Sequence, residues 1–238
     1  MNKNRRYFQD DRLHTLLSTA SIVVFDMNGL IIDDEPLQLE SVNRALKAYG
    51  VTISEDLWMA RCVGNRATDY FAWIRDEENI EAEYSVPKLV QEKNAFYHTL
   101  VSKRVRNIVR PGVMDLFDHV SRSSDQEPAL GTSAHPAEIE TVLGAGGLNL
   151  LHGFKYIVSG DQVAKGKPDP EVYTKISRIS GIEPRYCLVI EDSGTGVAAA
   201  FNAGMRCIAF PNRYTAGQDF SRADVVVSSL QKGAETLK

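Results

Sequence analysis

Four short apolar runs of this chain end in residues that can do chemistry. Ile22-Val23-Val24-Phe25 runs into Asp26, with Asn28-Gly29 just beyond, and Ala129-Leu130-Gly131 leads to Thr132 and Ser133. Tyr156-Ile157-Val158 is followed by a loop containing Lys165-Gly166-Lys167-Pro168-Asp169-Pro170. Tyr186-Cys187-Leu188-Val189-Ile190 ends in Glu191-Asp192-Ser193-Gly194. Singly, each has a plain structural reading: Thr132, Ser133 or Asp192 as a helix cap, Lys167 as a solvated loop lysine. Glu191 is harder to explain away, because adjacent acids at the end of an apolar strand are costly unless paired or metal-bound. Four such strand ends together point to one active site, and its groups suit phosphoryl transfer. Asp26 can act as a carboxylate nucleophile that takes up the phosphoryl group. Asp26 with Asp192 can hold a hard Mg²⁺ that neutralises phosphate charge. Lys167 supplies a point charge, while Thr132 and backbone N–H groups at a helix start supply hydrogen bonds. Positioning and electrostatics are most of what phosphoryl transfer requires.

The elements that must position these residues follow from the pattern of the chain. The apolar runs are short and rich in β-branched residues, which predicts buried strands, and helical patterns alternate with them. Helices are expected from Val109-Arg110-Pro111-Gly112 through Val120, and over 136–143, 170–179, Thr195–Asn202 and 229–236. Further strands are expected at Cys207–Phe210 and Val225–Val227. That alternation predicts an α/β fold, a Rossmann-like parallel sheet covered by helices. Ligands of such sheets bind beyond the carboxyl ends of the strands, where Asp26 would sit.

One long interval breaks the alternation. Pro36 opens a helical pattern that Gly50 closes, Ser54 starts a second, Thr68 or Asp69 a third and Pro87 a fourth, with no convincing strand before residue 107. The chain is therefore divided into an N-terminal helix or extension over 1–20, an α/β core over 21–34 and 107–238, and an inserted all-helical unit over 35–106. Trp58, Tyr70, Phe71 and Trp73 are assigned to the core of that insert rather than to a sugar-stacking surface. Asp33, Asp34 and Glu35 at its entrance are read as solvated, with Glu35 turned toward the cleft.

Composition narrows the function classes. A formal charge of −4 over 238 residues argues against a nucleic-acid or anionic-membrane surface. No apolar run reaches the roughly 18 residues of a membrane span, and the start lacks the apolar stretch of a secretory signal. Three scattered cysteines without a CxxC pair fit a reducing, cytoplasmic setting and no structural zinc. Gly166-Lys167-Pro168 is not a phosphate-binding Walker loop, since Pro stands where Ser or Thr must bind Mg²⁺. Gly144-Ala145-Gly146-Gly147 follows a helix rather than a strand and reads as a helix stop.

Phe25-Asp26-Met27-Asn28-Gly29, Gly131-Thr132-Ser133, Gly166-Lys167-Pro168-Asp169-Pro170 and Ile190-Glu191-Asp192-Ser193 resemble the four ordered motifs of the haloacid dehalogenase superfamily. The helical insert after the first motif resembles the small cap of the subgroup containing β-phosphoglucomutase and phosphoglycolate phosphatase. The resemblance implies a Mg²⁺-dependent phosphatase of small phosphorylated metabolites, sugar phosphates foremost, working through an aspartyl-phosphate. It implies that Asp26 is the nucleophile and that Asp26, Asp192 and the backbone carbonyl of Asn28 bind Mg²⁺, with Glu191 in support. Thr132, Ser133 and Lys167 would hold the phosphate. Gly64-Asn65-Arg66-Ala67-Thr68-Asp69 is similar to the substrate loop of the subgroup. Arg66 would then contact a distal phosphate or sugar hydroxyls, the alternative being a solvated loop arginine, and His135 would lie within reach of the phosphate, the alternative being a surface histidine at a helix start. The offset of Arg66 from Gly64 differs from that of the mutase's phosphate-binding arginine.

One position departs from that pattern. Superfamily phosphatases carry a second Asp two residues after the nucleophile as general acid/base, and here that residue is Asn28. An amide neither delivers a proton to a leaving alkoxide nor takes one from water, a loss of roughly 10²–10⁴-fold. Three readings of Asn28 stand: a substitution introduced to trap a complex, which the intact remaining motifs favour; a slow or non-catalytic relative; or an Asn-Gly that deamidates to Asp. The alternatives to a phosphatase are accordingly a β-phosphoglucomutase-like mutase and a non-catalytic phosphometabolite-binding protein. Oligomeric state is left open.

Overall fold

The computed structural model describes residues 12–77 and 85–231. Its sheet runs in the order β3-β2-β1-β4-β5-β6, with every neighbouring pair parallel. The strands are β1 (Ile22–Phe25), β2 (Glu127–Gly131), β3 (Tyr156–Val158), β4 (Cys187–Glu191), β5 (Arg206–Ala209) and β6 (Val225–Val226). β1 and β4 lie in the middle and are buried along their whole length, as uninterrupted apolar runs must be when helices cover both faces. From β1 the chain builds outward through β2 and β3, then returns to the other side for β4, β5 and β6. The crevice between β1 and β4 is therefore the topological switch point. The strand register aligns its walls: Phe25 is level with Leu130 on one side and Ile190 on the other. Asp26, Gly131 and Glu191 consequently leave the sheet side by side.

Alternation along β1 divides the core into two layers. Val23 and Phe25 face one, with Phe117 and Phe154 stacked edge-on against Phe25 at 5.8 and 6.2 Å. That layer is covered by a helix over 12–18 (α1), α6 (Val113–Arg122) and α7 (Pro136–Leu143). Leu13, Leu16 and Leu17 of α1 are buried there, as their helical spacing requires. Ile22 and Val24 face the other layer, under α8 (Glu171–Ser180) and α9 (Gly194–Asn202). β3 and α7 have the bounds read from the sequence, and the remaining core elements differ by one or two residues at their ends. Of the expected first 20 residues, 1–11 lie outside the described residues. So does 232–236 of the expected terminal helix.

Between β1 and β2 come only helices: α2 (Glu35–Leu46), α3 (Glu55–Arg61), α4 (Ala67–Glu77) and α5 (Val86–Val101) among the described residues. Pro occupies the first turn of α2 and α5, where its missing N–H costs nothing, and Ser54 and Ser85 accept capping bonds from Leu57 N and Lys88 N. Gly50 ends the first helical stretch at φ +72°, a conformation that favours Gly. These helices share their own cluster, including Val42, Leu46, Trp58, Phe71, Ile74 and Leu89, to which the sheet unit adds Tyr214. α2 and α5 also reach the sheet core, α2 through Leu37. The last turns of α5 carry Tyr97, Leu100 and Val101 into the first layer of that core. No described helix is long and apolar enough to cross a membrane. Cys62, Cys187 and Cys207 are free and buried.

Candidate active site

Asp26, Lys167, Glu191 and Asp192 meet at the switch point. Lys167 Nζ donates to Asp26 Oδ1 at 2.7 Å, to Glu191 Oε1 at 2.6 Å and to the Gly131 carbonyl at 3.2 Å. It is buried, not a solvated loop lysine. Burial works against its charge, but Asp26 and Glu191 outweigh that and hold its pKa above the ordinary lysine value. Glu191 has no exposed surface, and both its oxygens are engaged. Oε1 accepts from Lys167 and Tyr173, and Oε2 from the N–H groups of Asp192 and Ser193 and the Ser193 hydroxyl. Burial alone would raise its pKa; Lys167 and these donors bring it below the ordinary value. Gly196 belongs to the same arrangement, since a Cβ there would overlap the Glu191 carboxylate.

Asp26 and Asp192 are in a different state. Burial pushes the Asp26 carboxyl up to about 7; Lys167 opposes that and Glu191 adds to it. Asp192 is also pushed well up, by burial first and then by Glu191, Asp26 and Glu35, against Arg110. Carboxylate oxygens of Asp26, Glu191 and Asp192 lie within 4.8 Å of one another. With Glu191 saturated, Asp26 and Asp192 are the two that retain oxygen valence for a cation. Hard oxygen donors of this kind fit Mg²⁺. Asp192 does not cap α9: Ser193 does, accepting from Gly196 N.

Thr132 and Ser133 do not cap α7 either. His135 is the residue before it and makes no side-chain cap bond. Thr132 Oγ1 accepts from Ala134 N at 3.1 Å. Thr132, Ser133 and His135 all line a cavity of about 380 Å³, within the size range of small-molecule sites, together with Asp26, Lys167 and Asp192. Its opposite wall comes from the helical insert. Arg66 lies on that wall, pairs with Asp69 and rests against Gly166, with Nη1 3.5 Å from the Ala164 carbonyl. Gly64, at φ +84°, accepts from Thr195 Oγ1 through its carbonyl. The Gly64–Asp69 loop of the insert thus rests on the segments that follow β3 and β4.

Two expectations about the insert need correction. Asp34 and Glu35 are buried, not solvated; only Asp33 is exposed. The reason is a set of donors no spacing announces. Asp34 Oδ2 accepts from Tyr97 OH at 2.6 Å, Asn28 Nδ2 at 2.7 Å and Gln38 Nε2 at 2.8 Å, and Oδ1 from Gly29 N. Glu35 accepts from Trp58 Nε1 at 2.7 Å. Trp58 and Tyr70 pack in the insert core as expected, but they also line the cavity; Trp73 does not, and is only partly buried. Asn28 Nδ2 donates as well to Glu138 Oε1 at 2.7 Å, so its amide spans two carboxylates.

The sequence pattern of haloacid dehalogenase-like hydrolases matches residues 23–210, most of the chain and all four strand ends. The chain belongs to this family. A CbbY-like protein of Arabidopsis thaliana is 33% identical over 91% of this chain and 71% of its own length. A phosphorylated carbohydrates phosphatase of Thermotoga maritima is 32% identical over 78% of this chain and 82% of its own. In fold, a variant of CbbY from Rhodobacter sphaeroides in complex with xylulose-(1,5)bisphosphate superposes with a TM-score of 0.81 at 24% identity, covering 89% of this chain and 95% of that one. The β-phosphoglucomutase of Clostridium difficile gives 0.77 at 20% identity, over 92% and 99%.

In this hydrolase two further residues hold the surroundings of Asp26 and Asp192. Asn212 Nδ2 donates to Asp192 Oδ2 at 2.9 Å and to the Gly29 carbonyl at 3.2 Å. Arg110 donates to the Gly29 and Phe210 carbonyls at 2.7 Å and to Pro211 O at 2.9 Å, with its guanidinium over the Phe210 ring. Asn212 follows β5 closely, so extending the strand-end criterion to a fifth strand finds it. Arg110 carries no such mark.

Proposed function

We propose that this hydrolase is a Mg²⁺-dependent phosphatase of small phosphorylated sugars, and that Asp26 is its nucleophile. The observation that carries the reading is the Asp26–Lys167–Glu191 arrangement beside Asp192, at the bottom of a cavity of metabolite size. Lys167 holds Asp26 in place through one oxygen and leaves the other for attack. Asp26 Oδ2 forms a bond to phosphorus, the ester P–O bond breaks, and the alcohol departs. Water then attacks the aspartyl-phosphate, and the bond to Asp26 breaks to release phosphate. Asp26 and Asp192 would hold Mg²⁺, which supplies neutralising charge for the phosphate. Glu191 acts one step back, fixing Lys167 and the loop that bears Asp192. Thr132 and Ser133 lie where phosphate oxygens need hydrogen bonds. Residues 35–106 form a cap over the 21–34 and 107–238 core, and its loop at Arg66 and the His135 edge face the sugar. The names of the relatives, a phosphorylated carbohydrates phosphatase among them, support the substrate class.

The test is phosphate release from a panel of pentose and hexose phosphates and bisphosphates, with Mg²⁺ and with a chelator. Hydrolysis of at least one that Asp26→Ala abolishes, and that the chelator stops, is expected. Release of no phosphate from any phosphomonoester by the parent chain would overturn the reading.

A further inference from the structure

Asn28 leaves the reaction without a proton carrier at the position beside Asp26, and three other carboxylates come into question: Asp34 and Glu138, which accept from that amide, and Glu35, which follows Asp34 in the chain and lines the cavity. Their bonds separate them. Asp34 has no exposed surface, does not line the cavity and accepts from four donors across its two oxygens. It has nothing left to offer a substrate. Glu138 lines the cavity, but Oε1 accepts from Asn28 and Gln38, and Oε2 lies 3.5 Å from the buried Lys93 ammonium. Both its oxygens are engaged. Glu35 also lines the cavity, at the first turn of α2, and differs from both. Oε2 accepts from Trp58 Nε1, and Oε1 has no hydrogen-bond partner among the described residues. Its side chain is buried, and it lines the same cavity as Asp26 and Asp192.

We propose that Glu35 is the general acid and base of this hydrolase, taking the role that Asn28 cannot perform. The proposal rests on the phosphatase reading above. In the first step Asp26 bonds to phosphorus, the ester P–O electron pair goes to the leaving oxygen, and the Glu35 carboxylic acid gives that oxygen its proton. The products are a free alcohol, the aspartyl-phosphate and the Glu35 carboxylate. In the second step that carboxylate takes a proton from the attacking water, the P–O bond to Asp26 breaks, and phosphate leaves with Glu35 protonated again.

The electrostatics suit the task. Burial pushes the Glu35 carboxyl up to about 8, helped by Asp34 and Asp33 and opposed by the Trp58 bond and by Lys93. From the other elements around it, Cys62, Tyr70, Tyr97 and Asp192 are groups on which its charge acts. A raised carboxyl is protonated at neutral pH and can change state within a cycle, which is what proton transfer in both directions requires.

The test compares the parent with Glu35→Gln, whose amide oxygen still accepts from Trp58, and Glu35→Asp. Two probes are used: p-nitrophenyl phosphate, whose leaving group needs little protonation, and an alkyl phosphate such as ribose 5-phosphate. Glu35→Gln should lower steady-state kcat on the alkyl phosphate about 10²-fold or more with KM changed less than about threefold. On the aryl phosphate it should retain a burst of one nitrophenolate per enzyme, because phosphorylation of Asp26 survives there while hydrolysis stalls. The alkaline limb of the parent's alkyl-phosphate profile should disappear in Glu35→Gln and persist, shifted, in Glu35→Asp. If Glu35→Gln keeps the parent's kcat and its alkaline limb, Glu35 carries no proton. An equal loss on both probes without a burst assigns Glu35 a structural role and also overturns the proposal. A parent chain inactive on every phosphomonoester removes the phosphatase reading itself, and the proposal with it.

Discussion

Asn28→Asp restores the acid that the superfamily pattern calls for, and the surroundings of Asn28 predict that it will harm the protein more than help it. The amide now donates to Asp34 Oδ2 and Glu138 Oε1, both at 2.7 Å. The introduced acid, if ionised, would put a third carboxylate in the same place. At an effective dielectric near 20, each like-charge pair at about 4 Å costs about 4 kcal/mol. Two such pairs exceed the alternative, which is to keep the introduced acid protonated. Holding a proton on a carboxyl of ordinary pKa about 3.9 costs about 1.4 kcal/mol per pH unit, so about 5–6 kcal/mol at pH 8 and about 1.5 kcal/mol at pH 5. The protonated acid also donates to one neighbour where the amide donated to two, a further loss of roughly 1.5–3 kcal/mol for a hydrogen bond to a charged group. The Asp34 carboxyl, already raised by burial and by Glu138 beside it, rises further.

The sign of the pH dependence follows. The introduced acid has a folded-state pKa above its unfolded value, so between the two the folded state binds the extra proton. Stability relative to the parent therefore falls as pH rises from about 4 upward. At roughly 2–4 °C per kcal/mol for a chain of this size, the variant should melt at least about 10 °C below the parent at pH 8 and recover much of the gap by pH 5. Thermal denaturation across that range, with turnover measured on the same samples, decides the matter. A variant that melts within a degree of the parent at pH 8 and turns over about 10²-fold faster would refute the reasoning. It would show Asn28 to be a broken acid and not a fitted donor.

Other perturbations probe neighbouring parts of the site. Lys167→Ala leaves Glu191 and Asp26 buried without their cation; a destabilisation of roughly 3–5 kcal/mol, read by urea unfolding, should accompany loss of turnover. Gly29→Ala should lose Mg²⁺ affinity and stability together, because Gly29 sits at φ +74° and its Cβ would overlap the Asp192 carboxylate. Calorimetric Mg²⁺ titration should show that loss. Asn212→Ala removes one hydrogen bond to Asp192 Oδ2 and one to the Gly29 carbonyl, so turnover should need more Mg²⁺ to saturate, at nearly unchanged KM for the sugar phosphate. Arg66→Ala should raise KM while leaving p-nitrophenyl phosphate turnover near the parent's, since Arg66 belongs to the insert wall of the cavity and pairs with Asp69, with no bond to Asp26 or Lys167.

What the sequence discloses about this protein is what strand geometry makes periodic. A buried parallel strand is a short apolar run, and its carboxyl end is the next polar residue, so Asp26, Thr132 and Glu191-Asp192 are visible as a series before any contact is known. Pro36, Ser54 and Pro87 announce the helices of the insert in the same way, because helix ends have local chemical requirements. The contacts across the cleft have no local requirement. Asn28, Asp34, Gln38, Tyr97 and Glu138 come from a loop, two insert helices and a core helix, and their common feature is a surplus of donors around two carboxylates. Read one at a time, Asp34 and Glu35 are acids at a domain entrance, and solvation is the natural expectation for them. Read together, Asp34 is sealed by four donors, and Glu35 lines the cavity with one oxygen free of hydrogen bonds to the described residues. That difference turns Asn28 from a missing group into a partner: an amide is the side chain of this shape that can satisfy Asp34 and Glu138 at once, and it leaves the proton to be carried from the other side of the cleft.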